Sequence, residues 1–233
     1  MEAYAGTEYS RMQIQTNNPL AVRSAGITGL FAPQLFARVG YYAAMAGYTQ
    51  AVIDTSLRYD KRFKSAHRYT IIDTRDNLDL TVPIKKPEGN GNTWDSVYIS
   101  SHGHWWDVHR TALESAYGRT PFFEFYFDRF SSIFQAPEKW DMETTVGSLI
   151  RATDSIIRNI LGIRTSVSYT DGGYGIEAED LRKETFSTIP DIEYYQVRAN
   201  KLGFRANLSI LDLIFNMGTE APLILKNIQQ EIF

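Results

Sequence analysis

The chain contains no cysteine, and its longest apolar stretch is too interrupted to cross a membrane. Without cysteine, disulfides, thiolate metal sites and cysteine nucleophiles are excluded, which suits a reducing compartment. The stretch at residues 35–53 contains Arg38 and Thr49, whereas a spanning helix needs roughly 20 predominantly apolar residues. No basic start followed by an apolar run marks a signal peptide at the N-terminus. We therefore expect a cytoplasmic protein without a membrane span.

An excess of charge of one sign is also lacking. The chain has 24 Lys and Arg against 27 Asp and Glu, a formal net charge of −3. Because proteins that bind nucleic acid carry strong positive charge, we predict no nucleic-acid partner. The sequence also lacks G-x-G-x-x-G after its first strand, G-x-x-x-x-G-K-[ST] and G-x-S-x-G. Dinucleotide cofactors, P-loop hydrolysis and the esterase elbow therefore have no signature here, and the cofactor is left unassigned.

The composition and length predict one large globular domain. Hydrophobic residues make up 43% and charged residues 22% of the 233 residues, close to the globular average. Residues 1–24 are polar and lack an apolar period, so we expect an N-terminal extension followed by a single domain over residues 25–233. The oligomeric state is left open.

The hydrophobic pattern predicts an α/β fold with a Rossmann-like three-layer core that opens with a βαβ unit, plus a β-hairpin and additional helices. The βαβ unit consists of a strand at 26–31, a helix at 34–46 and a strand at 51–54. The hairpin pairs 67–73 with 78–84. The remaining predicted segments are strands at 97–101 and 163–169, helices at 107–117, 121–134, 143–161, 209–215 and 222–233, and a glycine-rich loop at 171–173.

Polar side chains that follow the second strand are the first candidates for a site, because parallel sheets bind ligands at the carboxyl ends of their strands. Asp54 ends that strand, and the cations Lys61 and Arg68 follow it. We predict that Lys61 and Arg68 hold a phosphate or carboxylate, although a solvated charge run is the alternative. Asp54 is a candidate catalytic group, although a turn or cap role fits it equally.

Three of the four histidines cluster at residues 102, 104 and 109. An H-x-H pair on a strand puts two imidazoles on one face, as metal sites often require, but the neighbouring tryptophans fit a packed segment better. We predict no metal site. His109 is retained as a catalytic acid or base because its ordinary pKa lies near cytoplasmic pH.

Four stretches of the sequence resemble a known family. They are Pro33 through Tyr42 with the following AVID; Tyr59-Asp60-Lys61 with His67-Arg68; Trp106, His109 and Tyr117 through Tyr126; and Asn207 through Gly218. Together they resemble the WbqC-like protein family, bacterial proteins first met in surface-polysaccharide gene clusters. The chain departs from the family pattern at Ala32 and His67, where Gln and Asn are usual.

The resemblance implies a transferase that acts on an amino sugar or an activated sugar. We therefore predict a group transferase for a phosphorylated or nucleotide-linked sugar in surface-polysaccharide metabolism, with His109 and Asp54 as catalytic residues. The predicted substrate-binding residues are Tyr59, Lys61, His67, Arg68, Trp106 and Tyr126. The alternative is a non-catalytic binding or scaffold protein with an aromatic docking surface around Trp105, Trp106 and Tyr126.

Overall fold

The computed structural model of the chain describes residues 28–169, 178–184, 186 and 192–232. The predicted N-terminal extension and the glycine-rich loop at 171–173 lie outside the described residues. The strands are β1 (Thr28–Phe31), β2 (Gln50–Ile53), β3 (Arg68–Ile72), β4 (Asn77–Thr81), β5 (Ser166–Tyr169) and β6 (Ala178–Asp180). The helices are α1 (Val39–Met45), α2 (Trp105–Tyr117), α3 (Phe123–Phe127), α4 (Val146–Leu161), α5 (Ala199–Leu202), α6 (Ile210–Met217) and α7 (Ala221–Ile232).

A four-stranded parallel sheet forms one part of this α/β fold. Its strand order is β5-β2-β1-β6, and Gly29 of β1 lies opposite Ala51 of β2. The predicted βαβ unit is thereby confirmed. A Cβ on Gly29 would run into the rings of Phe31 and Tyr48, so close ring packing explains the glycine in this buried strand. Strand β6 was not predicted from the sequence. The Rossmann-like three-layer arrangement stays a prediction.

The predicted hairpin is also confirmed. Strands β3 and β4 pair antiparallel, with Arg68 opposite Thr81 and Ile72 opposite Asn77. The predicted strand at 97–101 is wrong, since Tyr98 and Ile99 form only isolated bridges with Thr145 and Ile84.

The helix predicted at 34–46 begins five residues late, at Val39. Phe36 has a φ of 43° and Arg38 is extended, so residues 34–38 form a loop instead of a first helical turn. The helix predicted at 121–134 is reduced to α3 and a 3-10 turn at Asp128–Phe130.

The longest helix, α4, has the amphipathic pattern that the sequence predicted. Thr145 caps it by accepting a hydrogen bond from the Ser148 amide, and it ends at Gly162, whose φ of 62° suits glycine. Its apolar side chains join a hydrophobic core that also contains the buried face of α6 and the side chains of β1, β2 and β3. In the described part of the chain, no helix has the length and apolarity to cross a membrane.

Candidate functional site

The loops that follow β1 and β2 meet at the carboxyl end of the sheet. The Leu35 amide donates to the Ser65 carbonyl at 2.9 Å and thereby joins the two loops. Between them lies a cavity of about 260 Å³, which we call the Arg68 cavity. Its lining consists of residues 34–38, Lys64, Ser65, residues 68–70, Asp79 and Ser209.

Positive charge predominates in the Arg68 cavity. Arg38, Lys64 and Arg68 face one carboxylate, Asp79, so the lining has a net charge of +2. Arg68 is held in place because its Nε donates to Thr81 Oγ1 at 2.8 Å and its Nη1 lies 3.5 Å from Asp79 Oδ2. A cation fixed in this way is well suited to bind phosphate or carboxylate.

Gln34 adds an uncharged polar group to the same cavity. The residue is 7% exposed and lines the cavity, yet its side chain makes no hydrogen bond with any residue that the structure describes. Buried amide groups in proteins are nearly always hydrogen-bonded. Since the Gln34 amide has no such partner and lines the cavity, it can bond to a ligand there. Its carbonyl accepts and its NH₂ group donates, which suits a sugar hydroxyl.

The start of α6 fixes the loop that carries Gln34. Ser209 Oγ donates to the Phe36 carbonyl at 2.8 Å, and the Ser209 amide donates to the Thr70 carbonyl at 2.9 Å. Ser209 therefore ties the loop after β1 to strand β3 of the hairpin. The walls of the Arg68 cavity come from three regions that are far apart in the sequence.

A second and larger cavity, of about 930 Å³, is lined by an earlier part of the loop after β2. Its lining consists of residues 58–61, Lys86, Pro87 and Asn90, and we call it the Lys61 cavity. The structure places Tyr59 and Lys61 here, whereas Arg68 lines the smaller cavity. The two cations that were predicted to bind one anion therefore line different cavities.

Asp54 is buried at the end of β2, with 2% exposure. Its Oδ1 accepts from Ser56 Oγ at 2.6 Å, and its Oδ2 accepts from Arg182 Nη1 at 2.9 Å. Arg182 also binds Asp180, and this hydrogen bonding lowers the pKa of Asp180 to about 2. Asp54 thus holds Arg182 beside the sheet edge. Its predicted catalytic role stays a prediction.

His109 lies in the interior with 2% exposure. Its Nε2 is 3.3 Å from the Thr81 carbonyl and its Nδ1 is 3.1 Å from the Tyr69 hydroxyl. Since a carbonyl only accepts, Nε2 carries the proton and Nδ1 accepts from Tyr69. Burial lowers the pKa of His109 to about 4, so the ring is neutral at pH 7. It links α2 to the hairpin, and its predicted catalytic role is untested.

His67, the residue before β3, also contacts the hairpin through its imidazole. It is buried, and its Nδ1 lies 2.9 Å from the Val82 carbonyl, while burial lowers its pKa. The imidazole therefore connects the loop after β2 to the end of β4. Neither cavity lining includes His67 itself, and its substrate-binding role stays a prediction.

The three aromatic residues predicted to form a docking surface are buried. Trp105, Trp106 and Tyr126 are 4%, 9% and 6% exposed, so the docking surface considered as the alternative function is not formed by them. Neither Trp106 nor Tyr126 lines the two cavities. Within residues 28–169 and the other described segments, no three His, Asp or Glu side chains are grouped to hold a metal ion.

Of the residues that line the Arg68 cavity, the sequence predicted only Arg68 as a site residue; those missed include Gln34, Arg38, Lys64, Asp79 and Ser209. The sequence predicted a helix at 34–46, so Gln34 and Arg38 were not expected in a loop that lines a cavity. Lys64 lies between Lys61 and Arg68, the two cations predicted to bind an anion, so its charge was the signal available. Nothing near Ser209 in the sequence indicates contact with residue 36.

Comparison with known proteins identifies the family. No curated protein and no solved structure matches the chain. The model of the WbqC-like protein family matches residues 32–188, which is more than half of the chain. The match includes the first three stretches of the resemblance and ends before the fourth, at 207–218. The chain belongs to the WbqC-like protein family.

Proposed function

We propose that the chain is a transferase that acts on a phosphorylated or nucleotide-linked amino sugar in surface-polysaccharide metabolism. The Arg68 cavity is the observation that carries this proposal. It lies at the carboxyl end of parallel strands, where α/β folds place their ligands. Three of the four resemblance stretches contribute to its lining through residues 34–38, Arg68 and Ser209.

The chemistry of the lining suits a sugar phosphate. Arg38, Lys64 and Arg68 bind the phosphate, since hydrogen bonds between charged partners are the strongest that side chains make. The Gln34 amide contacts a hydroxyl of the ring. Asp79, the carboxylate of the lining, accepts from the amino group. A volume of about 260 Å³ is near the lower limit for small-molecule sites and favours a monosaccharide.

In the proposal, His109 and Asp54 each hold a neighbouring side chain in place. His109 fixes the ring of Tyr69, a residue of the cavity lining. Asp54 fixes Arg182 at the sheet edge. His109 therefore positions a residue of the site, whereas Arg182 lines neither cavity. A direct catalytic role for His109 or Asp54 requires the substrate to reach them. We expect alanine at either position to lower turnover.

Isothermal titration of the purified chain with a hexosamine 1-phosphate tests the proposal. We expect the parent hexosamine to bind far more weakly, and we expect Arg68→Ala to weaken binding of the phosphate at least tenfold, because a hydrogen bond to a charged group contributes about 1.5–3 kcal/mol. Arg62→Ala is the matched control, since Arg62 is an exposed arginine of the same loop that lies outside the cavity lining. Equal weakening by both substitutions, or equal binding of hexosamine and its phosphate, would contradict the proposal.

A further inference from the structure

The Lys61 cavity carries unpaired positive charge on both of its walls. Arg58 and Lys61 come from the loop after β2, and Lys86 comes from the loop at 85–92. Among the described residues, none of these three side chains takes part in a hydrogen bond or an ion pair. Like charges arranged around one concave surface attract polyanions and raise their local concentration.

The one carboxylate of this lining, Asp60, already has a cationic partner. Asp60 accepts hydrogen bonds from Arg62 Nε at 3.1 Å and from Arg62 Nη2 at 2.8 Å. The hydrogen bonds from Arg62 lower the pKa of Asp60 to about 2, so the carboxylate stays ionised but paired. The field inside the cavity is therefore set by three cations.

The wall that carries Tyr59 is firmly anchored. The Tyr59 amide donates to the Asn92 carbonyl at 2.8 Å, and the Tyr59 ring packs edge-to-face on the buried Trp94 at 5.1 Å between centroids. The loop that carries Lys86 turns at Gly89 and Gly91, whose φ values of 72° and 90° favour glycine. The cavity thus combines a fixed aromatic residue with a cation, Lys86, from a loop that contains two glycines.

We propose that the Lys61 cavity binds a nucleoside diphosphate, with the two phosphates on Arg58, Lys61 and Lys86 and the nucleoside on the Tyr59 side. Its volume of about 930 Å³ lies within the range of nucleotide-sized ligand sites. This inference rests on the proposed function, since it places a nucleoside diphosphate beside the sugar phosphate that the Arg68 cavity is proposed to bind.

The two cavities are close enough for one to hold the nucleotide and the other the sugar phosphate. Lys61 lines one cavity and Lys64 the other, and three residues of chain span at most about 11 Å between their Cα atoms. The two cavities are therefore close enough to hold a nucleoside diphosphate and a sugar phosphate side by side.

Titration with uridine diphosphate tests the assignment, with inorganic pyrophosphate and uridine as comparison probes. We expect uridine diphosphate to bind more tightly than either probe. We expect the double variant Lys61→Ala/Lys86→Ala to weaken its binding at least tenfold. The matched control, Lys139→Ala/Lys201→Ala, removes the same charge from two exposed lysines outside both cavities and should change binding less than twofold.

Cross-titration separates this inference from the proposed function. Arg68→Ala should leave uridine diphosphate binding within twofold of the original, and Lys61→Ala/Lys86→Ala should leave hexosamine 1-phosphate binding within twofold. Loss of uridine diphosphate binding in Arg68→Ala alone would overturn the inference, and so would pyrophosphate binding as tight as that of uridine diphosphate. Failure of hexosamine 1-phosphate to bind, with lysine-dependent uridine diphosphate binding intact, would overturn the proposed function and keep the inference.

Discussion

At the scale of the residue, Arg182 holds two carboxylates in different surroundings. Its Nη1 binds Asp54, which is buried, at 2.9 Å. Its Nη2 binds Asp180, whose side chain is 49% exposed, at 2.8 Å. Water screens the exposed pair but not the buried one, so the same guanidinium stabilises the fold through two interactions of unequal strength.

Substituting each carboxylate by its amide compares these two interactions directly. We expect Asp180→Asn to change the free energy of unfolding by less than about 1 kcal/mol, as exposed ion pairs do. Asp54→Asn should cost about 1.5–3 kcal/mol, because it removes a charged hydrogen bond in a buried place. Urea unfolding midpoints measure both. Equal losses would show that Asp54 is not held more strongly than a surface carboxylate.

At the scale of the element, helix α1 begins without a cap of its own. Arg38, its N-cap residue, makes no side-chain cap, and the acceptor for the Gly40 amide is Asn207 Oδ1 at 3.0 Å. Arg38 Nη1 in turn donates to the Asn207 carbonyl at 3.0 Å. Asn207 adopts a φ of 56°, a left-handed conformation that asparagine tolerates better than most residues. The start of α1 therefore depends on a residue near the other end of the chain.

Three substitutions at Asn207 separate the cap from the backbone conformation. Asn207→Gly keeps the left-handed backbone and loses the cap, so we expect a loss of about 1 kcal/mol. Asn207→Ala adds the left-handed penalty and should lose about 2–3 kcal/mol. Asn207→Asp keeps the acceptor for the Gly40 amide but puts an oxygen in place of the NH₂ group that donates to the Phe186 carbonyl, so it should also lose stability. Thermal unfolding measures the order, and an alanine variant as stable as the glycine variant would contradict it.

This dependence on distant residues explains which parts of the fold the sequence predicts. The apolar period of α4 and the alternation of the hairpin depend on neighbours along the chain, and both were predicted. The start of α1 was not, because the loop at 34–38 bonds to residues 207–210. The same loop supplies Gln34 and Arg38, so the sequence located Arg68 in the candidate site but missed the residues opposite it.

At the scale of the whole molecule, two buried titratable groups oppose each other in acid. Burial lowers the pKa of His109 to about 4, so the folded state resists protonation there and loses stability as pH falls from 6.5 to 4. Burial raises the pKa of Asp212 to about 6. The folded state binds a proton there before the unfolded chain does, and it therefore gains stability as pH falls from 6 to 4.

Separate removal of the two groups should expose these opposed slopes. A shift of about two pKa units corresponds to about 3 kcal/mol for each group, so the two contributions largely cancel in the original chain between pH 4 and 6. Relative to the original, we expect Asp212→Asn to lose stability more steeply on acidification, and His109→Gln to lose it less steeply or to gain it.

Each variant is compared by its slope across pH, so a uniform loss of stability does not obscure the result. Parallel slopes for all three proteins would show that neither group titrates differently on unfolding. Since His67 also has a pKa lowered by burial and is retained in both variants, its contribution is common to all three curves and does not alter the comparison.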